Sequence, residues 1–223
     1  MKRKNCKFTY GLISLLVIVF VLDFLILNQE GTKVLSSNHL LKGNQWGYLT
    51  QYGRLLNINA MSPEWWRLFT CMFLHSGIPH LVVNCVGLYC IGSIVERSFG
   101  GKKFVIIYIL SGMGSALITM FITYGSVGAS GAIYGIGGTL LILIFKDRKN
   151  TWSYVPILKR IIIIIYLILP NFSGINTMIS HEVGFIIGIL LGLVFSQSEK
   201  EISNRNLANE NMSSKSVVNK EKN

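Results

Sequence analysis

Charge is scarce in this chain. Charged side chains make up 14% of its 223 residues while 51% are hydrophobic, and a soluble domain of that length cannot hide so much apolar surface. Cysteine is scarce as well. Cys6, Cys71, Cys85 and Cys90 are the only four, two of them inside an apolar run, which excludes a secreted disulfide scaffold and leaves no structural disulfide to expect. The hydrophobic fraction also excludes a disordered chain. A net charge of +11 raises nucleic acid as a partner. The Lys and Arg, however, are not gathered with aromatic or motif context, so no nucleic-acid domain is expected. There is no internal repeat, which counts against the inverted-repeat transporters. The histidines lack carboxylate or cysteine partners at ligand spacing, so neither a metal site nor another cofactor is expected.

What the chain does have is long apolar runs. GLISLLVIVFVLDFLILN from Gly11 and KFVIIYILSGMGSALITMFITY from Lys103 exceed the length of a buried core element and read as membrane spans. Hydropathy places six helices at about 11–27, 80–95, 103–123, 130–145, 159–175 and 178–195, an all-α polytopic membrane protein. The second and fourth are short, and short spans are acceptable when packed among other helices. The first follows MKRKNCK, but its run is long and no A-x-A-like site follows, so it reads as a retained span and not as a cleaved signal.

With both termini inside, 17 Lys and Arg fall on inner segments. Four, Lys33, Lys42, Arg54 and Arg67, fall outside, and this asymmetry sets the orientation. The domain reading is a basic cytoplasmic N-terminus at 1–10, a membrane domain at 11–195 and a polar, disordered cytoplasmic tail at 196–223. Residues 28–79 form a long outer loop, rich in Trp and Tyr, that lies in the headgroup region.

Several residues are expensive in a bilayer and need a reason: Asp23, His80, Asn84, Ser130, His181 and Glu182. The second, fourth and sixth spans all run from outside to inside, so their first turns share a depth. His80 and Asn84 open the second, Ser130 the fourth and His181 the sixth. Gly184, Gly188 and Gly192 recur every four residues on the face of His181, and Gly131 and Gly135 do the same beside Ser130. Such stripes let two helices touch at the backbone and put Ser130 within reach of His181, the geometry of an activated nucleophile. Singly, each residue has an ordinary use: Ser130 as small packing, His181 as an interhelical donor or proton relay, His80 and Asn84 as helix stitching. Their convergence in one layer favours a hydrolytic site. GASGA at 128–132 is not the G-x-S-x-G elbow of a soluble hydrolase, since its fifth residue is Ala and no strand precedes it.

Three motifs carry a resemblance over about residues 60–195: the Trp-Arg and H-x-x-x-N within WWRLFTCMFLHSGIPHLVVN, the G-x-S-G of GASGAIYG, and the H-x-x-G-x-x-x-G of SHEVGFIIG. Together they resemble the rhomboid family of intramembrane serine proteases. The resemblance implies a six-helix bundle with Ser130 as nucleophile and His181 as general base. It implies an oxyanion hole from His80, Asn84 and the Ser130 N–H, with Gly128 leaving room for it. Tyr134, one turn beyond Ser130, is expected to stack on His181. Trp66 and Arg67 match a first-loop pair that holds the loop in the interface, and His75 matches a structural histidine. Glu96 and Arg97 read as a polar anchor at the inner end of the second span.

Glu182 stands where the family has an apolar residue. Successive helical residues point about 100° apart, so Glu182 is expected to face water or a neighbouring loop, leaving a Ser-His dyad. The substrates implied are single-span membrane proteins cut near the outer end of their helix in the cell membrane, beneath a cap formed by PNFSGINT from Pro170. The rival readings are a catalytically silent client binder and a small proton-coupled transporter using Asp23, His181 and Glu182.

Overall fold

The computed structural model describes residues 5–29, 53–60, 64–122 and 125–220. Expectations placed on residues 1–4, on Lys33 and Lys42, and on much of the 28–79 loop lie outside the described residues. Six long helices carry the fold: α1 (Lys7–Gln29), α2 (Ile78–Phe99), α3 (Gly101–Ile122), α4 (Ser130–Lys146), α5 (Ile157–Ile168) and α6 (Ile175–Lys220). Apart from one two-residue pairing there is no strand among the described residues.

Helix α4 is the centre of the bundle. Its 17 residues reach about 25 Å, short of the ~30 Å hydrocarbon core. Residues Gly131 to Leu140 are all buried, however, so its neighbours and not lipid meet the shortfall. Lipid gives no hydrophobic drive between helices, and the approach is therefore made by small residues. A Cβ added at Gly184 or Gly188 of α6 would overlap the carbonyl oxygens of Gly131 and Gly135 of α4, so these helices meet backbone to backbone. Thr139 Oγ1 donates to Gly188 O across this seam at 2.8 Å, and Ser115 Oγ donates to Ser180 O at 2.7 Å, which ties α3 to α6. By contrast α1 leaves Ile18, Leu22 and Leu25 exposed on its outer side, as expected of a peripheral span.

The second span is longer than its sequence suggests, running from Ile78 to Phe99 where 80–95 was expected. The charges of Glu96 and Arg97 mark its inner end in sequence, but they lie within the helix and are partnered there. Glu96 is buried and accepts from the N–H groups of Phe8 (3.1 Å) and Thr9 (2.8 Å) and from Thr9 Oγ1 (2.6 Å). It thus caps the otherwise unsatisfied first turn of α1. Arg97 Nε reaches Cys6 Sγ at 3.2 Å, tying the chain start to the same end of α2.

Two further boundaries differ from expectation. Helix α5 stops at Ile168, and Leu169–Ser173 forms a tight 3-10 turn with Pro170 in its first positions. Gly174, at φ 138°, then turns the chain into α6. PNFSGINT is therefore a folded turn plus the start of a helix and not an open loop. Past Ser196, where composition predicts disorder, the backbone continues as helix to Lys220. Extending a formed helix needs no new nucleus, so a polar segment can follow an apolar span in the same conformation.

Candidate active site

Ser130 is the first residue of α4, so its backbone N–H is among those with no partner inside the helix. The turn before it is held from outside. Ser126 and Leu55 exchange backbone hydrogen bonds at 3.0 and 3.2 Å, and Gly128 N–H donates to Cys71 O at 2.9 Å. Gly128 has φ 119°, and a Cβ there would lie 2.6 Å from His80 Cε1, 2.7 Å from His80 Nε2 and 3.5 Å from Asn84 Nδ2. The glycine thus leaves room for one imidazole edge and one amide over the turn that presents Ser130.

Both groups are fixed from behind. His80 Nδ1 is 3.1 Å from Ser76 Oγ, so its Nε2 is the nitrogen left facing Gly128. The His75 ring meets the His80 ring edge-on at 5.1 Å. Burial first, and the neighbouring His80 second, hold the His75 pKa down at about 3, so His75 is a neutral wedge in the segment before α2. Asn84 is 1% exposed; its Oδ1 accepts from Tyr166 OH at 3.0 Å, while its Nδ2 has no hydrogen-bond partner among the described residues. A buried donor without a partner costs about 1–3 kcal/mol, and this one lies beside Gly128.

His181 is also 1% exposed. Its ring stacks on Tyr134 with centroids 3.9 Å apart and planes 11° from parallel. Tyr134 is one turn beyond Ser130, so the imidazole stands over the α4 face that begins with the serine. The residues that follow Ser130 and flank His181 bring the two helices together: a Cβ on Gly131 would lie 3.4 Å from Ser180 Oγ, and Gly184 sits against the Gly131 backbone. Tyr134 OH donates to Tyr166 O at 2.9 Å, which ties α4 to α5. His181 Nδ1 lies 2.7 Å from Asn171 Oδ1 in the turn after α5.

Other expected residues fall as follows. Arg67 is buried, donating to Arg54 O at 3.1 Å and paired with Glu64 at 2.7 Å; its guanidinium sits 4.6 Å above the ring of half-exposed Trp66. Glu182 is exposed, and Asn171 Nδ2 donates to its Oε1 at 3.4 Å. Asp23 lines a cavity with Leu15, Val19, Phe69, Phe73 and Leu74, and His181 is not among its lining residues.

Sequence reasoning missed Asn171, Tyr166 and the backbone anchors at Leu55 and Cys71. Tyr166 had a signal, being a hydroxyl-bearing residue in the apolar run IIIIIYLI where its OH must find a partner. Asn171 had none, since it belongs to no helical face shared with His181, and backbone pairing between distant segments leaves no side-chain pattern.

A family model described as the Rhomboid domain matches residues 62–198. Over 142 residues the chain is 38% identical to Rhomboid protease GluP of Bacillus subtilis (strain 168), covering 63% of this chain and 28% of that protein. It is 35% identical over 164 residues to Rhomboid protease AarA of Providencia stuartii, covering 61% and 58%. Against RHOMBOID-like protein 1 of Arabidopsis thaliana it is 37% identical over 139 residues, covering 59% and 35%. The matched stretch thus spans between about a quarter and three fifths of these relatives' own lengths.

Proposed function

The chain belongs to the rhomboid family, and from that premise we propose that it is an intramembrane serine endopeptidase working through Ser130 and His181. The observation that carries this reading is the stacking of His181 on Tyr134, one turn past Ser130, with His80 Nε2 and Asn84 Nδ2 over Gly128.

In the proposed reaction a substrate carbonyl lies over the Gly128 turn. Ser130 Oγ attacks it, His181 Nε2 takes the hydroxyl proton and later returns it to the leaving amine, and water repeats the cycle on the acyl-enzyme. Negative charge develops on the carbonyl oxygen. The Ser130 N–H at the α4 N-terminus, His80 Nε2–H and Asn84 Nδ2–H are the donors that receive it, and donors already in place cost no reorganisation when charge appears. The unpartnered Asn84 Nδ2 fits this role, because the cost of leaving it bare is recovered only when the oxyanion forms.

A helical peptide bond has its carbonyl bonded and shielded, so the substrate must be locally unwound. Single-span membrane proteins with small or helix-breaking residues near the outer end of the span meet that need. The orientation proposed has both termini in the cytoplasm, from the 17-to-four split of Lys and Arg. Glu96 binding the first turn of α1 puts that terminus at the inner end of α2, in keeping with it.

A silent client binder would be expected to lack Ser130 or His181, and this chain has both. A proton path would need Asp23 near His181 and Glu182, and neither is among the residues that line the cavity at Asp23. The test is purified protein in liposomes with a generic single-span substrate. Cleavage is expected for wild type and not for Ser130→Ala or His181→Ala. Cleavage that persists in both variants, or ion flux that survives Ser130→Ala, overturns the proposal.

A further inference from the structure

We infer that Asn171 is a positioning residue for the general base: its side-chain carbonyl holds His181 Nδ1–H and so fixes the tautomer whose Nε2 lone pair serves Ser130. The inference rests on the protease reading above and adds a third group to the dyad.

The argument is a donor count. Asn171 Nδ2 lies 3.3 Å from Leu167 O and 3.4 Å from Glu182 Oε1. A backbone carbonyl only accepts, and so does a carboxylate, so the amide nitrogen must face these two and the orientation of the amide is set. Oδ1 is then the atom left toward His181, 2.7 Å from Nδ1. An amide oxygen cannot donate, so Nδ1 must carry the proton. In a neutral imidazole the other nitrogen, Nε2, is then the base.

Two contacts together leave the ring little freedom. Tyr134 stacks on its face and fixes its plane, while Asn171 bonds at its edge and fixes rotation within that plane. Glu182 does not reach the imidazole itself; it acts one step further out by orienting the amide. This explains how an exposed carboxylate next to the base in sequence contributes without touching it. The tight turn Leu169–Ser173 supplies the rigid support, with Pro170 setting the backbone just before Asn171.

The test uses the full chain in liposomes with wild type, Ser130→Ala, Asn171→Leu and Asn171→Asp, together with 15N-histidine NMR of the same proteins in nanodiscs. Asn171→Leu keeps the volume and removes the acceptor, while Asn171→Asp, made throughout together with Glu182→Gln so that an amide donates where a carboxylate would repel the new anion, keeps the acceptor. Expected are a fall in kcat of roughly 10- to 100-fold with KM nearly unchanged for Asn171→Leu, and recovery to within a few-fold for Asn171→Asp. The His181 signal, assigned by its loss in His181→Ala, should report protonated Nδ1 in wild type and a shift toward protonated Nε2 in Asn171→Leu. Equal kcat for wild type and Asn171→Leu, no recovery with Asp, or Nε2-protonated His181 in wild type overturns this inference while leaving Ser130-dependent cleavage intact. If wild type shows no Ser130-dependent cleavage, the protease reading itself falls and the catalytic role of Asn171 falls with it.

Discussion

A single methyl group placed on Gly184 should separate nucleophile from base without unfolding the bundle. In Gly184→Ala the new Cβ would overlap the carbonyl oxygen of Gly131 and lie 2.9 Å from its carbonyl carbon. Carbon–oxygen contacts settle at about 3.3 Å, so α4 and α6 must part by roughly 1 Å at this turn. The turn carries both groups proposed to react: Gly131 follows Ser130, and Gly184 is one turn after His181. A misplacement of about 1 Å costs on the order of 100-fold in rate. Gly192→Ala is the internal control, since its Cβ would meet Thr139 Cα at 3.2 Å and Ile142 Cβ at 3.3 Å, which a shift of a few tenths of an ångström relieves. Both variants, assayed in liposomes for substrate cleavage and checked by thermal melting, should remain folded. Gly184→Ala should lose about 100-fold in kcat, and Gly192→Ala no more than a few-fold. Equal rates in the two variants would refute the claim that backbone contact along this seam sets the catalytic distance.

Removing the Asn84 amide in Asn84→Ala should cost about 100- to 1,000-fold in kcat, the usual loss for one oxyanion donor. Tyr166→Phe should cost less, and nothing further in the Asn84→Ala background, because its hydroxyl acts through Asn84 Oδ1; a double-mutant cycle measures this. Glu96→Ala uncaps the first turn of α1 and should lower thermal stability by about 1–2 kcal/mol while leaving cleavage within a few-fold of wild type. His75 has a pKa in the folded protein of about 3, below its ordinary 6.5, so the unfolded chain binds the extra proton. Its stabilising contribution is therefore complete above pH 6.5 and is lost as pH falls toward 3, by at most about 1.4 kcal/mol per pH unit. Melting curves of wild type against His75→Gln across that window should converge as the medium is acidified.

The fold was legible where physics leaves a periodic mark. Long apolar runs announced the spans, and glycines at every fourth position announced the seam between α4 and α6. The candidate polar residues stand out for a related reason, since His80 and Ser130 lie in the first turn of their helices and Asn84 and His181 in the second, in sequence that otherwise belongs to lipid. The length of α2 was not legible, because Glu96 looks like an exposed terminus until its partners on Phe8 and Thr9 are known. Nor was the turn carrying Asn171, whose bond to His181 joins two elements meeting at an angle that no spacing rule encodes. The pairing of Leu55 with Ser126 is purely backbone and leaves no trace in side-chain identity.

The central claim is that an imidazole on α6 activates the hydroxyl that opens α4. It is tested most directly by exposing the bilayer-embedded protein to a fluorophosphonate and mapping the adduct by mass spectrometry. The phosphorus–oxygen bond should form at Ser130 alone, with fluoride leaving, and at least about 100-fold more slowly in His181→Ala. Labelling at another residue, or at the same rate without the histidine, would contradict it.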